Sequence, residues 1–295
     1  MQRSIALVAE RLGFEGFYRS DHLTSTAGRF ERESNEAWMT LAGLARETSR
    51  IRLGTLVSPI GFRHPSYYAK LVSTVDVMSN GRVTASIGTG WYAPEHKLLG
   101  FPFPPLAERF DRLEEYLEVL MAAWSETPKG FSGRWYSLGA VELPPRSPQH
   151  PHPHLIIGGH GKTWTPRLAA RFADEFNIDW KSPETCRVLY DLAEEHCEAL
   201  GRDPTTLHKS VLLGAVVGRD AADAERRYNT AARFLGISDP ATWRSEHAEG
   251  WTVGPVASLV ERLARYEAVG VDHVILMLAP GDDEGMMALV AEACL

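Results

Sequence analysis

MSNGRVTASIG, Met78 to Gly88, holds in one short run the pattern that repeats along the chain. A helix ends, Asn80-Gly81 stops it, and Val83, Thr84 and Ile87 begin a β-branched run that closes on glycine. Asn and Gly tolerate the left-handed conformation that ends a helix, and β-branched residues favour strands. The same succession occurs in AERLGFEGFYRS (Ala9 to Ser20), where Gly13 is the stop and the strand runs through Phe17 and Tyr18. It returns in ETSRIRLGTLV (Glu47 to Val57), AARFADEFNI (Ala169 to Ile178) and ARYEAVGVDHVIL (Ala264 to Leu276). HLIIGG (His154 to Gly159) and SVLLGAVVG (Ser210 to Gly218) complete a set of seven strands. Continuous apolar strands that alternate with helices predict a parallel sheet covered on its outer face. The expected class is α/β, a TIM-type (β/α)8 barrel forming a single domain over residues 1–295, with a doubly wound sheet as the rival.

Helices are legible between the strands. Leu106, Phe110, Leu113, Leu117, Leu120, Met121 and Trp124 keep the spacing of one buried stripe from Leu106 to Glu126. Pro255 is expected to open the last barrel helix and Gly270 to close it. Residues Gln2 to Leu12 read as the first barrel helix, so the first barrel strand is missing from the seven. Either the native start lies upstream or this is a truncated form; the alternative is that the two edge strands close into a seven-stranded barrel. Thr127 to Pro153, rich in Pro and Gly, reads as an insertion with a small hairpin about GRWYSL and a Pro-rich linker.

The chain has 295 residues, 44% hydrophobic and 23% charged, which suits a globular enzyme. A formal charge of −7 without a basic block argues against nucleic-acid binding. No apolar run is long enough for a membrane span, and the N-terminus lacks a signal-peptide pattern, so a cytoplasmic location is expected. Cys186, Cys197 and Cys294 are too scattered for a disulfide framework or a zinc site. HPHPH (His150 to His154) alternates with prolines that splay its side chains, so no metal is expected.

In a parallel barrel, function sits at the C-terminal ends of the strands. RSDHL (Arg19 to Leu23) offers His22 as an acid/base oriented by Asp21; the alternative is a loop cap. LGTLVSPIGFRHP puts small and apolar residues where a flat ring can rest; the alternative is a plain connection. In IGTGWYAPEHKLLG (Ile87 to Gly100), Gly88 and Gly90 allow close backbone approach, and Trp91 and Tyr92 supply aromatic walls. A Rossmann reading fails there because Pro94 stands where the phosphate helix would run. GGHGKTW (Gly158 to Trp164) combines glycine N–H groups, a helix start and the cation of Lys162 into an anion site, or else is a simple turn. NIDW adds Trp180 as a further wall.

Taken in order, SDHL, LGTLVSPIGFRHP, IGTGWYAPEHKLLGFPFPPLAERFDRLEEYLEVL and LIIGGHGKTWTPRLAARFADEFN resemble the luciferase-like monooxygenases. More narrowly, they are similar to the coenzyme F420-dependent TIM-barrel oxidoreductases of that class. The resemblance implies a cofactor whose ring lies beside Asp21 and His22. Leu56, Val57 and Ser58 would back that ring, often through a non-proline cis peptide. It further implies cofactor contacts from Thr89 and Gly90, and a phosphate on Gly158, Gly159, His160 and Gly161. Some F420-dependent sugar-phosphate dehydrogenases carry a glutamate directly after GTG; Trp91 stands there, so sugar-phosphate activity is not carried over.

The expected function is hydride transfer between F420 and a small organic substrate, with His22 moving the proton. One alternative is an FMN-dependent monooxygenase that uses reduced flavin and oxygen. A second is a non-catalytic flavin-binding barrel or partner subunit. Substrate and reaction direction stay open, with a homodimer the candidate assembly.

Overall fold

The computed structural model describes residues 2–26, 33–279 and 283–295. The chain begins with α1 (Gln2–Leu12), β1 (Gly16–Arg19), α2 (Ala37–Glu47), β2 (Arg52–Thr55), β3 (Ser58–Pro59), α3 (Pro65–Ser79) and β4 (Val83–Gly88). Next come α4 (Ala93–Leu99), α5 (Leu106–Trp124), β5 (Phe131–Ser132), β6 (Ser137–Leu138), β7 (His154–Gly158), α6 (Thr165–Phe172) and β8 (Glu175–Asp179). The remainder is α7 (Pro183–Ala199), β9 (His208–Gly218), α8 (Ala221–Leu235), α9 (Pro240–Glu246), β10 (Trp251–Pro255), α10 (Val256–Glu267), β11 (His273–Leu278) and α11 (Asp283–Cys294). These elements fall into two compact units. One is Gly16–Gly158 with Phe172–Asp174; the other holds the chain up to Glu15, Gly159–Arg171 and Glu175–Leu295.

In the first unit β1 pairs with β2, β2 with β4, and β4 with β7, all parallel. The two-residue β3 continues along β4, Ser58 opposite Ile87. All six residues of β4 are buried, as expected of a strand covered on both faces. Gly54 is required where β2 meets β4, since a Cβ there would stand 2.6 Å from the Thr84 carbonyl oxygen. Helices bury one stripe each: Trp38 and Leu41 from α2, Tyr68 and Val72 from α3, and Leu113, Tyr116, Leu117 and Leu120 from α5. Asn80 ends α3 at φ 59°, followed by Gly81 at φ 81°. Arg82 then donates to the carbonyls of Ala45, Thr48, Ile51 and Ser79 and to Thr48 Oγ1. That guanidinium satisfies carbonyls left over where α2 ends. The hairpin of β5 and β6 is antiparallel, within the expected insertion.

In the second unit β9 is the common partner. β8 pairs along its first half, β11 along Ser210–Ala215 and β10 along Gly214–Gly218, all parallel. Successive β9 residues serve opposite faces, as the pleat requires. Val216 joins Tyr228, Ala231, Ala279 and Met286, while Ala215 and Val217 join Leu259 and Val290.

The seven strands read from the sequence are all present. Two further parallel strands, β3 and β10, correct the count among the described residues. β3 has only two residues, and β10 carries Thr252 and Val253 but runs at once into Gly254 and Pro255; its Trp251 ring seats on Gly214, where a Cβ would meet it at 2.1 Å. Pro255 caps α10, and Gly270 follows its end at φ 86°. No helix among the described residues is long and apolar enough to cross a membrane.

Candidate active site

The chain beyond β1 carries Asp21 and His22, and the structure gives them different partners. Asp21, 1% exposed, receives both arms of Arg63, at 2.6 Å on Oδ2 and 3.0 Å on Oδ1. Ser58 Oγ donates to the same Oδ2 at 2.5 Å, and Trp38 Nε1 donates to Ser58 Oγ at 3.1 Å. Arg63 also bonds Glu36. Burial alone would lower the Arg63 pKa, but the charges of Asp21 and Glu36 outweigh it and hold the guanidinium raised. Asp21 therefore anchors Arg63 and Ser58. The expectation that it orients His22 is corrected.

The partner of His22 is Glu95, which the sequence reading passed over. Glu95 lies in the first turn of α4 and is fully buried. Its Oε2 is 2.8 Å from His22 Nδ1, and its Oε1 accepts from Leu23 N at 2.6 Å, Thr24 N at 2.8 Å and Thr24 Oγ1 at 3.1 Å. The rings of Trp91 and Tyr92 meet the His22 ring edge-on, with centroids 5.7 and 6.0 Å away. A glutamate after a proline at a helix start reads as a match for the helix dipole, which hid this role.

The Leu56–Val57 peptide bond is cis, the isomer the resemblance implies there. Val57 packs between two glycines: a Cβ at Gly88 or Gly158 would meet its methyls at 2.8 or 2.7 Å. Packing of Val57 thus accounts for those glycines. Gly90 has φ 80°, and Arg109 bonds its carbonyl oxygen. Beside Thr89 lies a cavity of about 240 Å³, lined in part by Arg63, His96, Arg109 and Tyr136. His96 sits among Phe62, Phe101 and Phe103, and burial lowers its pKa.

The structure thus gathers Asp21, His22, Leu56, Val57, Ser58, Thr89, Gly90, Trp91, Tyr92 and Gly158 into the first unit. Gly159, His160, Gly161, Lys162 and Trp180 belong to the second. There, His160 Nδ1 is 2.7 Å from Asp179 Oδ1, and Gly159 has φ 146° ahead of α6. Lys162 is exposed. Trp180 has φ 56°, an uncommon conformation for a large side chain, and stacks on Trp251 with centroids 5.6 Å apart.

Comparison with known proteins identifies the family and the fold. Residues 2–273 match the luciferase-like monooxygenase family. The chain is 33% identical over 98% of its length to an F420-dependent hydroxymycolic acid dehydrogenase of Mycobacterium tuberculosis, covering 74% of that protein. It is 23% identical over 92% of its length to an FMNH(2)-dependent dimethylsulfone monooxygenase of Pseudomonas putida, covering 81% of it. The structure of an F420-dependent secondary alcohol dehydrogenase in complex with an F420-acetone adduct superposes with a TM-score of 0.83 at 21% identity. That superposition covers 99% of this chain and 92% of the other, so the two share the α/β, TIM-barrel-like fold. Relatives of the chain use F420 or FMN and are oxidoreductases. The chain belongs to the luciferase-like monooxygenase family and is an oxidoreductase.

Proposed function

We propose that the protein is an F420-dependent oxidoreductase that moves a hydride between the deazaflavin and a small organic substrate. The observation that carries the choice of cofactor is the 33% identity, across 98% of the chain, to an F420-dependent dehydrogenase. Each unit offers residues that fit such a cofactor. In the second, a Cβ at Gly161 would meet, among the described residues, Thr165 Oγ1 alone, at an ordinary 3.7 Å, so their packing does not demand that glycine. Gly159, His160, Gly161 and Lys162 would hold a phosphate there, with the start of α6 behind them. In the first unit, Leu56, Val57 and Ser58 would back a flat ring, with Thr89 and Gly90 at its edge.

When bound, the cofactor supplies the hydride chemistry, and the protein supplies position and proton control. His22 holds or releases a proton at Nε2, since Nδ1 is engaged by Glu95. Trp91 and Tyr92 flank that imidazole edge-on and would present apolar surface to the substrate. Arg63 and Asp21 lock Ser58 next to the cis peptide. The same reading holds the protein to be a cytoplasmic, single-domain homodimer.

An FMN-dependent monooxygenase is the second reading, supported by the likeness to the dimethylsulfone enzyme across 92% of the chain. Titration of the purified protein with F420 and with FMN, followed by absorbance and fluorescence, separates the two. Saturable F420 binding without FMN binding is expected. Tight binding of FMN alone would replace the first reading with the second.

A further inference from the structure

A glutamate in the first turn of a helix ordinarily faces that helix's own free N–H groups. Glu95 instead reaches the chain after β1, where its carboxylate meets four donors or potential donors within three consecutive residues, His22 to Thr24. It does so while fully buried, where an unpartnered carboxylate would be costly. Oε1 takes three of these contacts and, among the described residues, Oε2 meets the imidazole. An ionised carboxylate oxygen only accepts. At 2.8 Å, a lone pair on His22 Nδ1 would face a lone pair on Oε2, so Nδ1 must carry the hydrogen. In the neutral ring this leaves the lone pair on Nε2.

We propose that Glu95 is the positioning residue of His22: it imposes the Nδ1–H tautomer, leaves Nε2 as the proton-accepting atom, and pins the Leu23–Thr24 backbone in the same contact. This rests on the proposed role of His22 in the oxidoreductase reaction, but its geometry stands without any cofactor. The edges of Trp91 and Tyr92 restrict the same ring. Tautomer and orientation are thus set by two segments of the chain, the loop after β1 and the start of α4.

Glu95→Gln separates this role from simple support. The amide keeps the side chain's shape, and its oxygen can still accept from Leu23 N and Thr24 N. Its NH2 group then faces His22 Nδ1, which must become an acceptor, so the ring hydrogen moves to Nε2. The measurement is 15N NMR of the histidine-labelled protein without cofactor, with His22 assigned by its loss in His22→Gln. In the unaltered protein Nδ1 should show the N–H type of shift and Nε2 the lone-pair type; in Glu95→Gln the two should exchange. Unchanged shifts in the variant, or a hydrogen on Nε2 in the unaltered protein, overturn the proposal. With a cofactor that binds, kcat in Glu95→Gln should fall by about 10²–10⁴-fold, the scale of a misplaced acid/base. KM and cofactor affinity should stay within a small factor. Exchanged shifts with unchanged kcat support the positioning role and overturn instead the assignment of His22 as the reaction's acid/base.

Discussion

At Asp21 two oxygens are shared by a guanidinium and a hydroxyl in a space that water scarcely reaches, and this fixes what the residue can do. The Arg63 side chain is 8% exposed and the Asp21 side chain not at all, so neither charge has solvent to fall back on. A buried pair contributes little net stability when intact, but losing one partner strands the other. Arg63→Met is therefore expected to cost about 3–5 kcal/mol. Asp21→Asn combined with Arg63→Met should recover part of that loss, since the charge then left without Arg63 is Glu36, whose side chain is 33% exposed and reaches solvent. Urea unfolding of the three proteins checks this; equal loss in the single and double variants would mean that the pair is not the source. The second neighbour, His22, is governed by a different element altogether, so substitutions at these adjacent positions should have separable effects.

Arg82 acts on the scale of elements. It lies between α3 and β4, and its donors reach the end of α2, the turn before β2 and the end of α3. These carbonyls lie where helices end and a strand begins, and one side chain meets them together. Arg82→Ala is expected to destabilise the protein by at least about 2 kcal/mol, because hydrogen bonds from a charged donor are among the stronger ones and the carbonyls stay buried. Hydrogen exchange should show faster opening at the end of α2, around Leu44 and Ala45, than in β9. Uniform acceleration in both would point to global loss and not to a broken joint. Trp251 on Gly214 is a comparable device in the other unit, a ring seated where a side chain is absent.

For the whole molecule, the shifted groups set how stability depends on pH. Burial depresses the His96 pKa below the ordinary histidine value of 6.5. The unfolded chain then binds a proton that the native one resists, so stability falls as pH drops below about 6.5. Asp223 lies at the opposite end of the scale: the backbone N–H of Arg219 first, then the nearby arginines, hold its pKa down at about 2 against an ordinary 3.8. Its contribution is present above 3.8 and is lost as pH falls through about 2. Two stages of acid destabilisation are expected in the urea midpoint. The upper stage should flatten in His96→Gln, and an identical slope in that variant between pH 7.5 and 5.5 would assign the loss to other groups.

The chain's own sequence determined the alternation of strand and helix, the stops at Gly13, Asn80 and Gly270, and the strand ends where the site residues gather. These are local matters: a β-branched run, a residue tolerant of positive φ and a stripe at helical spacing act over a few residues, so each is legible where it stands. The tertiary structure decided who touches whom. His22 and Glu95 are 73 positions apart, Asp21 and Arg63 are 42 apart, and each pair meets only because parallel strands bring their following loops to one end. Nearness along the chain suggested Asp21 as the partner of His22, and the packed fold gave each a different, distant partner. β10 did not stand out because Trp251, Thr252 and Val253 run at once into Gly254 and Pro255, and its pairing along β9, with Trp251 seated on Gly214, is a tertiary matter. Propensity and period are written in the near sequence, whereas a buried charge takes whatever partner the packed fold delivers to it.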